Sequence, residues 1–123
     1  MAFEYRRELT ELFSVLSSEG RISILSHLAN AGDVHYTVRK LHKVMEEEYT
    51  MGAVFSEIQA LETADLVEPD IKGAYGITKL GKYVLSELDK LGLRLGKPIR
   101  EINEFMQSKN EEMARMIREN SDQ

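Results

Sequence analysis

Between Thr50 and Asp65 the residues Gly52, Ala53, Ser56, Gln59 and Ala60 are small or uncharged, and with Thr63 they share one face at helical spacing. A helix with such a face can lie close to another surface. Its chemistry suits base edges in a DNA major groove. Alanine contacts a thymine methyl, serine is unselective, and the Gln59 amide matches the donor and acceptor of adenine. Arg39, Lys40 and Lys43 lie upstream, and Lys72 lies downstream between two short extended segments. Phosphates require mobile cations of this kind around a reading helix. The competing reading is an ordinary solvated face, and for any single lysine it is the stronger one.

Other residues invite chemistry and are better read as structural. His42 and Glu46 are four apart on one helix face, with His35 upstream. Two or three such groups that do not converge are weak evidence for a metal, and surface histidine is the simpler reading. Arg21 falls on the side of Ile24, Leu25 and Leu28, which points to a buried or half-buried structural ion pair. Glu46, Glu47 and Glu48 precede the reading helix and would repel phosphates unless they point away or pair with Arg39 and Lys43. No glycine-rich phosphate loop, nucleophile elbow or catalytic carboxylate pair stands in a suitable context. The chain is read as a non-enzyme with no cofactor and no metal. It has no cysteine, which excludes disulfides and thiolate metal sites.

The elements that must position these side chains follow from periodicity and capping. Tyr5, Leu9, Leu12 and Leu16 predict a helix over 3–17. Ser17 or Ser18 caps a second helix, with Ile24, Leu25 and Leu28 inward and an end near Gly32. Val34, His35 and Tyr36 form a short extended piece. Thr37 caps a third helix over 38–48, with Val38, Leu41 and Met45 inward. Thr50 caps the reading helix over 51–65, with Met51, Val54, Ile58 and Leu61 inward. The period then changes: residues 66–71 and 74–77 read as two strands around a tight Lys72–Gly73 turn. Pro69 confines this ribbon to a sheet edge. Thr78 caps a fifth helix with Leu80, Val84, Leu88 and Leu91 inward. Gly92 and Gly96 are expected to interrupt it, and Pro98 to restart a separate helix. In that last segment Ile99, Ile102, Met106, Lys109, Met113 and Met116 alternate steps of three and four, a heptad seam with one polar member.

This order of elements is the winged helix-turn-helix plan, and local motifs match it. Arg21-x-x-Ile24-Leu25-x-x-Leu28, the run from Ser56 to Val67, and Tyr75-Gly76-Ile77-Thr78-Lys79-Leu80-Gly81-Lys82 resemble segments of the prokaryotic ArsR-like transcriptional regulators. They correspond to the first-helix signature, the recognition helix with its following turn, and the wing strand running into the next helix. The resemblance covers about residues 9–90. It implies a homodimer on operator DNA, with the recognition helix in the major groove and the wing on the neighbouring backbone or minor groove. Metal-sensing members use cysteine ligands, so arsenic sensing is excluded here.

The expected fold is therefore mainly α with a small β-hairpin wing. A winged domain over 1–92 includes the N-terminal helix, and 93–123 forms a C-terminal dimerisation helix. The dimer surface is expected from Tyr5, Leu9, Leu12, Leu16, Ile99, Ile102, Met106, Met113 and Met116. The DNA surface is expected from Arg39, Lys40, Lys43, Thr50, Gly52, Ala53, Ser56, Gln59, Ala60 and Lys72. The partners are double-stranded DNA and a second copy of the chain, and no motif specifies an effector. The net charge of -5 favours solubility rather than nucleic acid, so any DNA footprint must be local. A winged-helix protein-interaction module without DNA binding is the alternative. The N-terminal run MAFEYRRELTELF does not read as a signal peptide. No stretch reaches the roughly 20 apolar residues of a membrane span, and a cytoplasmic location is expected.

Overall fold

The computed structural model describes residues 3–121. Local capping sets the starts of its central helices. The Ser18 hydroxyl accepts from the Arg21 N–H at 3.4 Å and opens α2 (Glu19–Asn30). Thr37 accepts from the Lys40 N–H at 3.1 Å and opens α3 (Val38–Met45). Thr50 accepts from the Ala53 N–H at 3.1 Å and opens α4 (Met51–Thr63). Each cap satisfies a backbone donor that the first turn would leave unpaired.

The end of α4 is as well defined. The Leu66 N–H bonds the Leu61 carbonyl at 3.0 Å, and the Asp65 N–H bonds that of Glu62 at 2.9 Å. Asp65 holds a φ of 61°, the left-handed position that glycine fills in most such caps. This turn delivers the chain to β1 (Val67–Pro69), which pairs antiparallel with β2 (Tyr75–Ile77) in the register Val67 to Ile77 and Pro69 to Tyr75. Tyr36 bridges the other side of β2, exchanging hydrogen bonds with Tyr75 at 2.9 and 2.7 Å. The tip differs from a two-residue turn. Strand pairing stops at Pro69, and Ile71, expected inside the first strand, stands fully exposed beyond it.

The core lies where α4 packs on α2 and α3. Ile24, Leu25, Leu41, Val54, Ile58 and Leu61 are completely closed to solvent, and Leu28, Leu66 and Val67 nearly so. Met51 departs from the expected inward row and is 41% exposed, because it stands in the opening turn, outside the buried row formed by Val54, Ile58 and Leu61. The N-terminal helix α1 (Arg6–Val15) is shorter than 3–17 and buries none of its residues. Leu16, expected at a dimer surface, sits at its C-cap and is buried in the core.

The largest correction concerns the last helix. Gly92, Gly96 and Pro98 do not divide it: α5 runs unbroken over Lys79–Ser121 with Pro98 inside. The described chain falls into two compact units, one ending at Ser86 and the other beginning at Glu87. In the first, α5 buries Gly81 and Val84 and leaves Leu80 exposed. A Cβ at Gly81 would stand 2.2 Å from the Leu66 carbonyl oxygen, so glycine permits the close approach of helix and turn. In the second, Leu88 is half-buried and every described residue from Asp89 onward is exposed, Leu91 included.

Candidate nucleic-acid interface

The turn between α3 and α4 is closed by the Glu48 and Tyr49 N–H groups bonding the Met45 carbonyl at 3.1 and 3.0 Å. Tyr49 then lies against Gly20 of α2, where a Cβ would be 3.1 Å from the ring. This contact fixes the turn and hence the start of α4. The outer face of α4 carries Gly52, Phe55, Ser56 and Thr63 exposed, with Ala53, Gln59 and Ala60 half-buried. A Cβ at Gly52 would meet nothing within 4 Å, so the helix surface there is open.

The acidic residues of α4 are turned away from that face. Glu57 faces α2, where its Oε2 accepts from the Ser18 hydroxyl and lies 3.2 Å from Arg21 Nε. That Nε is out of line for a hydrogen bond, so the contact is an ion pair. The Arg21 Nη1 donates instead to the Val15 carbonyl at 2.8 Å. Arg21 is thus the half-buried structural cation that its position in the sequence suggests. Glu62 accepts from the Tyr75 hydroxyl at 3.4 Å. Burial, then the Glu62 charge, raises the Tyr75 pKa above its ordinary value.

The cations singled out in the sequence are solvent-exposed. Arg39, Lys40 and Lys43 are exposed on α3, and Lys72 is exposed in the hairpin turn. Among the described residues, none of the four has a carboxylate at ion-pairing distance. The Lys40 ammonium sits 4.4 Å from the centre of the Tyr36 ring. The Thr50 hydroxyl is held in its capping bond. Gln59 is tied down: its Nε2 donates to the Tyr75 hydroxyl at 3.3 Å, so the amide is engaged with the wing strand.

The hairpin is held by Asp70. Its Oδ1 accepts from the Lys72 and Ala74 N–H groups at 2.9 and 3.0 Å, and its Oδ2 meets His35 Nδ1 at 3.0 Å. The Ala74 amide, then the His35 side chain, holds the Asp70 pKa below its ordinary value. The His35 ring lies over Gly76, where a Cβ would be 2.7 Å from it. His35 therefore serves the wing. Among the described residues no three His, Asp or Glu side chains gather as a metal site would require.

Periodicity alone missed Phe55, which is 54% exposed beside the open face. The signal was present. Phe55 follows Val54 by one residue, about 100° around the helix, and so leaves the buried row. A large aromatic at that phase is read from the sequence as a surface residue, outside the core.

No family model matches the chain, and no curated protein matches it. Among solved structures it is similar to one described as an ArsR-like transcriptional regulator from Rhodococcus sp. RHA1. The identity is 24%, the TM-score 0.53, and the likeness covers 88% of this chain and 98% of that one. The fold is a winged helix-turn-helix. α3 and α4 form its helix-turn-helix, and the β1–β2 hairpin is its wing. No described helix is long and apolar enough to cross a membrane.

Proposed function

We propose that this protein is a DNA-binding transcriptional regulator of ArsR-like type, acting as a cytoplasmic homodimer. The observation that carries the reading is electrostatic. Glu57 and Glu62 are engaged within the fold, so the outer face of α4 presents no charge of its own, while Arg39 and Lys43 on α3 and Lys72 in the hairpin turn are exposed. The acidic residues of α4 are withdrawn from the contact, but Glu46, Glu47 and Glu48 just before it are exposed and, among the described residues, pair with neither Arg39 nor Lys43, so the reading requires them to point away from the duplex. α4 enters the major groove, with Thr50, Gly52, Ala53, Ser56 and Ala60 near the bases, and the wing brings Lys72 to the backbone.

With few cations per subunit, binding is modest and its salt dependence shallow. Lys43→Glu and Lys72→Glu weaken binding to every sequence and flatten the salt slope. Ser56→Ala changes preference among sequences instead. Gly52→Glu abolishes binding by placing bulk and charge at the groove. Fluorescence titration of each variant against promoter and random duplexes at several salt concentrations tests this. Equal binding by the wild type and Lys43→Glu, or no binding by either at low salt, removes the DNA reading in favour of a protein-interaction module.

A further inference from the structure

The N-terminal turns of the second helix in a helix-turn-helix are those that reach base edges. In α4 these turns offer Met51, Gly52, Phe55 and Ser56 to solvent. The helix has no Arg, Lys or Asn, and its longer polar side chains are engaged elsewhere: Glu57 with Ser18 and Arg21, Gln59 and Glu62 with Tyr75. Bidentate reading of guanine or adenine by α4 then has no side chain to perform it. The large exposed side chains that remain are apolar, Phe55 at 54% and Met51 at 41%, with the short Ser56 hydroxyl beside them. The major groove presents one apolar group, the C5-methyl of thymine.

We propose that Phe55, supported by Met51, is a specificity-determining contact of this surface beside Ser56 and reads thymine C5-methyl groups in the major groove. This rests on the DNA-binding reading above. Two features favour a duplex over a protein as the occupant. Arg39 and Lys43 on α3 and Lys72 in the hairpin turn are exposed and, among the described residues, free of carboxylates at ion-pairing distance, which suits phosphates. Gly52, beside the apolar pair, leaves open space for the helix to come close to a groove floor. Burying a methyl against Phe55 favours thymine over a base without that methyl by about fourfold at each contact.

The test uses the full chain. Duplexes selected from a random library at low salt are expected to carry A·T pairs at fixed positions in each half-site. The selected duplexes are then remade with deoxyuridine at those positions, which removes only the methyl. Wild type should lose about fourfold in affinity for each contacted methyl. Phe55→Ala should bind thymine and uracil duplexes alike, with the salt slope unchanged. Its thermal unfolding should match that of the wild type, because the side chain is largely exposed. If wild type binds both duplexes equally while Lys43→Glu still weakens binding, the thymine contact is overturned and the DNA surface stands. If no duplex binds at low salt, both fall, and Phe55 belongs to a protein contact.

Discussion

Asp70 joins backbone, wing and the segment before α3 through a single carboxylate. Both its oxygens are used, one by the Lys72 and Ala74 amides and one by His35. Its pKa lies below the ordinary 3.8, chiefly through the Ala74 amide. A carboxyl with a depressed folded pKa adds stability that is complete above its unfolded pKa and is lost as pH falls through the folded value. The hairpin turn should therefore hold at neutral pH and loosen only at a pH below the ordinary aspartate value. In an NMR titration the Lys72 and Ala74 amides should move together with the Asp70 carboxyl. Asp70→Ala should make those amides exchange faster at neutral pH while the α4 amides keep their protection. Unchanged exchange at Lys72 and Ala74 would show that the turn does not depend on the carboxylate. The sequence reveals residues of this kind unevenly. Ser18, Thr37 and Thr50 were legible as caps because capping acts within three residues along the chain. The pairings of Glu57 with Arg21 and of Gln59 with Tyr75 were not, since they depend on how separate elements are rotated against each other.

At the scale of elements, the order of helices and the hairpin followed from periodicity, while the fate of the last helix did not. Glycine weakens a helix interior by about 1 kcal/mol and proline by about 3 kcal/mol relative to alanine. These are costs that favourable neighbours can outweigh, and residues 88–106 include many Leu, Lys, Arg and Glu. Gly92, Gly96 and Pro98 are accordingly carried within α5. Replacing them should raise stability. Gly96→Ala is worth about 1 kcal/mol and Pro98→Ala up to about 3 kcal/mol, since a Cβ at Gly96 meets nothing within 4 Å. Both should increase helical circular dichroism or raise the unfolding midpoint, and no change in either measure would mean that the residue is not carried inside a helix in solution. Gly81→Ala should have the opposite sign although it lies in the same helix. The added methyl would press on the Leu66 carbonyl oxygen and on the Ile77 side chain, at 2.2 and 2.7 Å. A loss of about 1–3 kcal/mol is expected from such overpacking, read as a lower midpoint in urea. An unchanged midpoint would mean that helix and turn can separate at little cost.

For the whole molecule the decisive quantity is the apolar surface that a single chain leaves uncovered. On α1 and the residues before it, Phe3, Tyr5 and Phe13 are more than half exposed. Along α5 the seam residues Ile99, Ile102, Met106, Met113 and Met116 are also more than half exposed, with Phe105 and Ile117 widening the stripe. Monomeric proteins rarely expose contiguous apolar surface on this scale. The spacing of the seam is that of knobs packing into a second helix, with Lys109 as its polar member. Pairing with a second copy would cover it by a two-fold axis, and a symmetric dimer of the proposed regulator is expected to read a pseudo-palindromic site with half-sites one DNA turn apart, roughly 34 Å. Association and DNA recognition are then linked. Met106→Glu places a carboxylate in the seam and should shift the protein towards monomer in light scattering at micromolar concentration. The same variant should keep the fold of residues 3–86, because Met106 lies outside that unit. It should also lose its preference for pseudo-palindromic over single half-site duplexes, while binding of one half-site persists. A wild-type monomer at micromolar concentration would overturn the two-fold arrangement. A Met106→Glu dimer that still prefers the palindrome would place the association surface elsewhere on the chain.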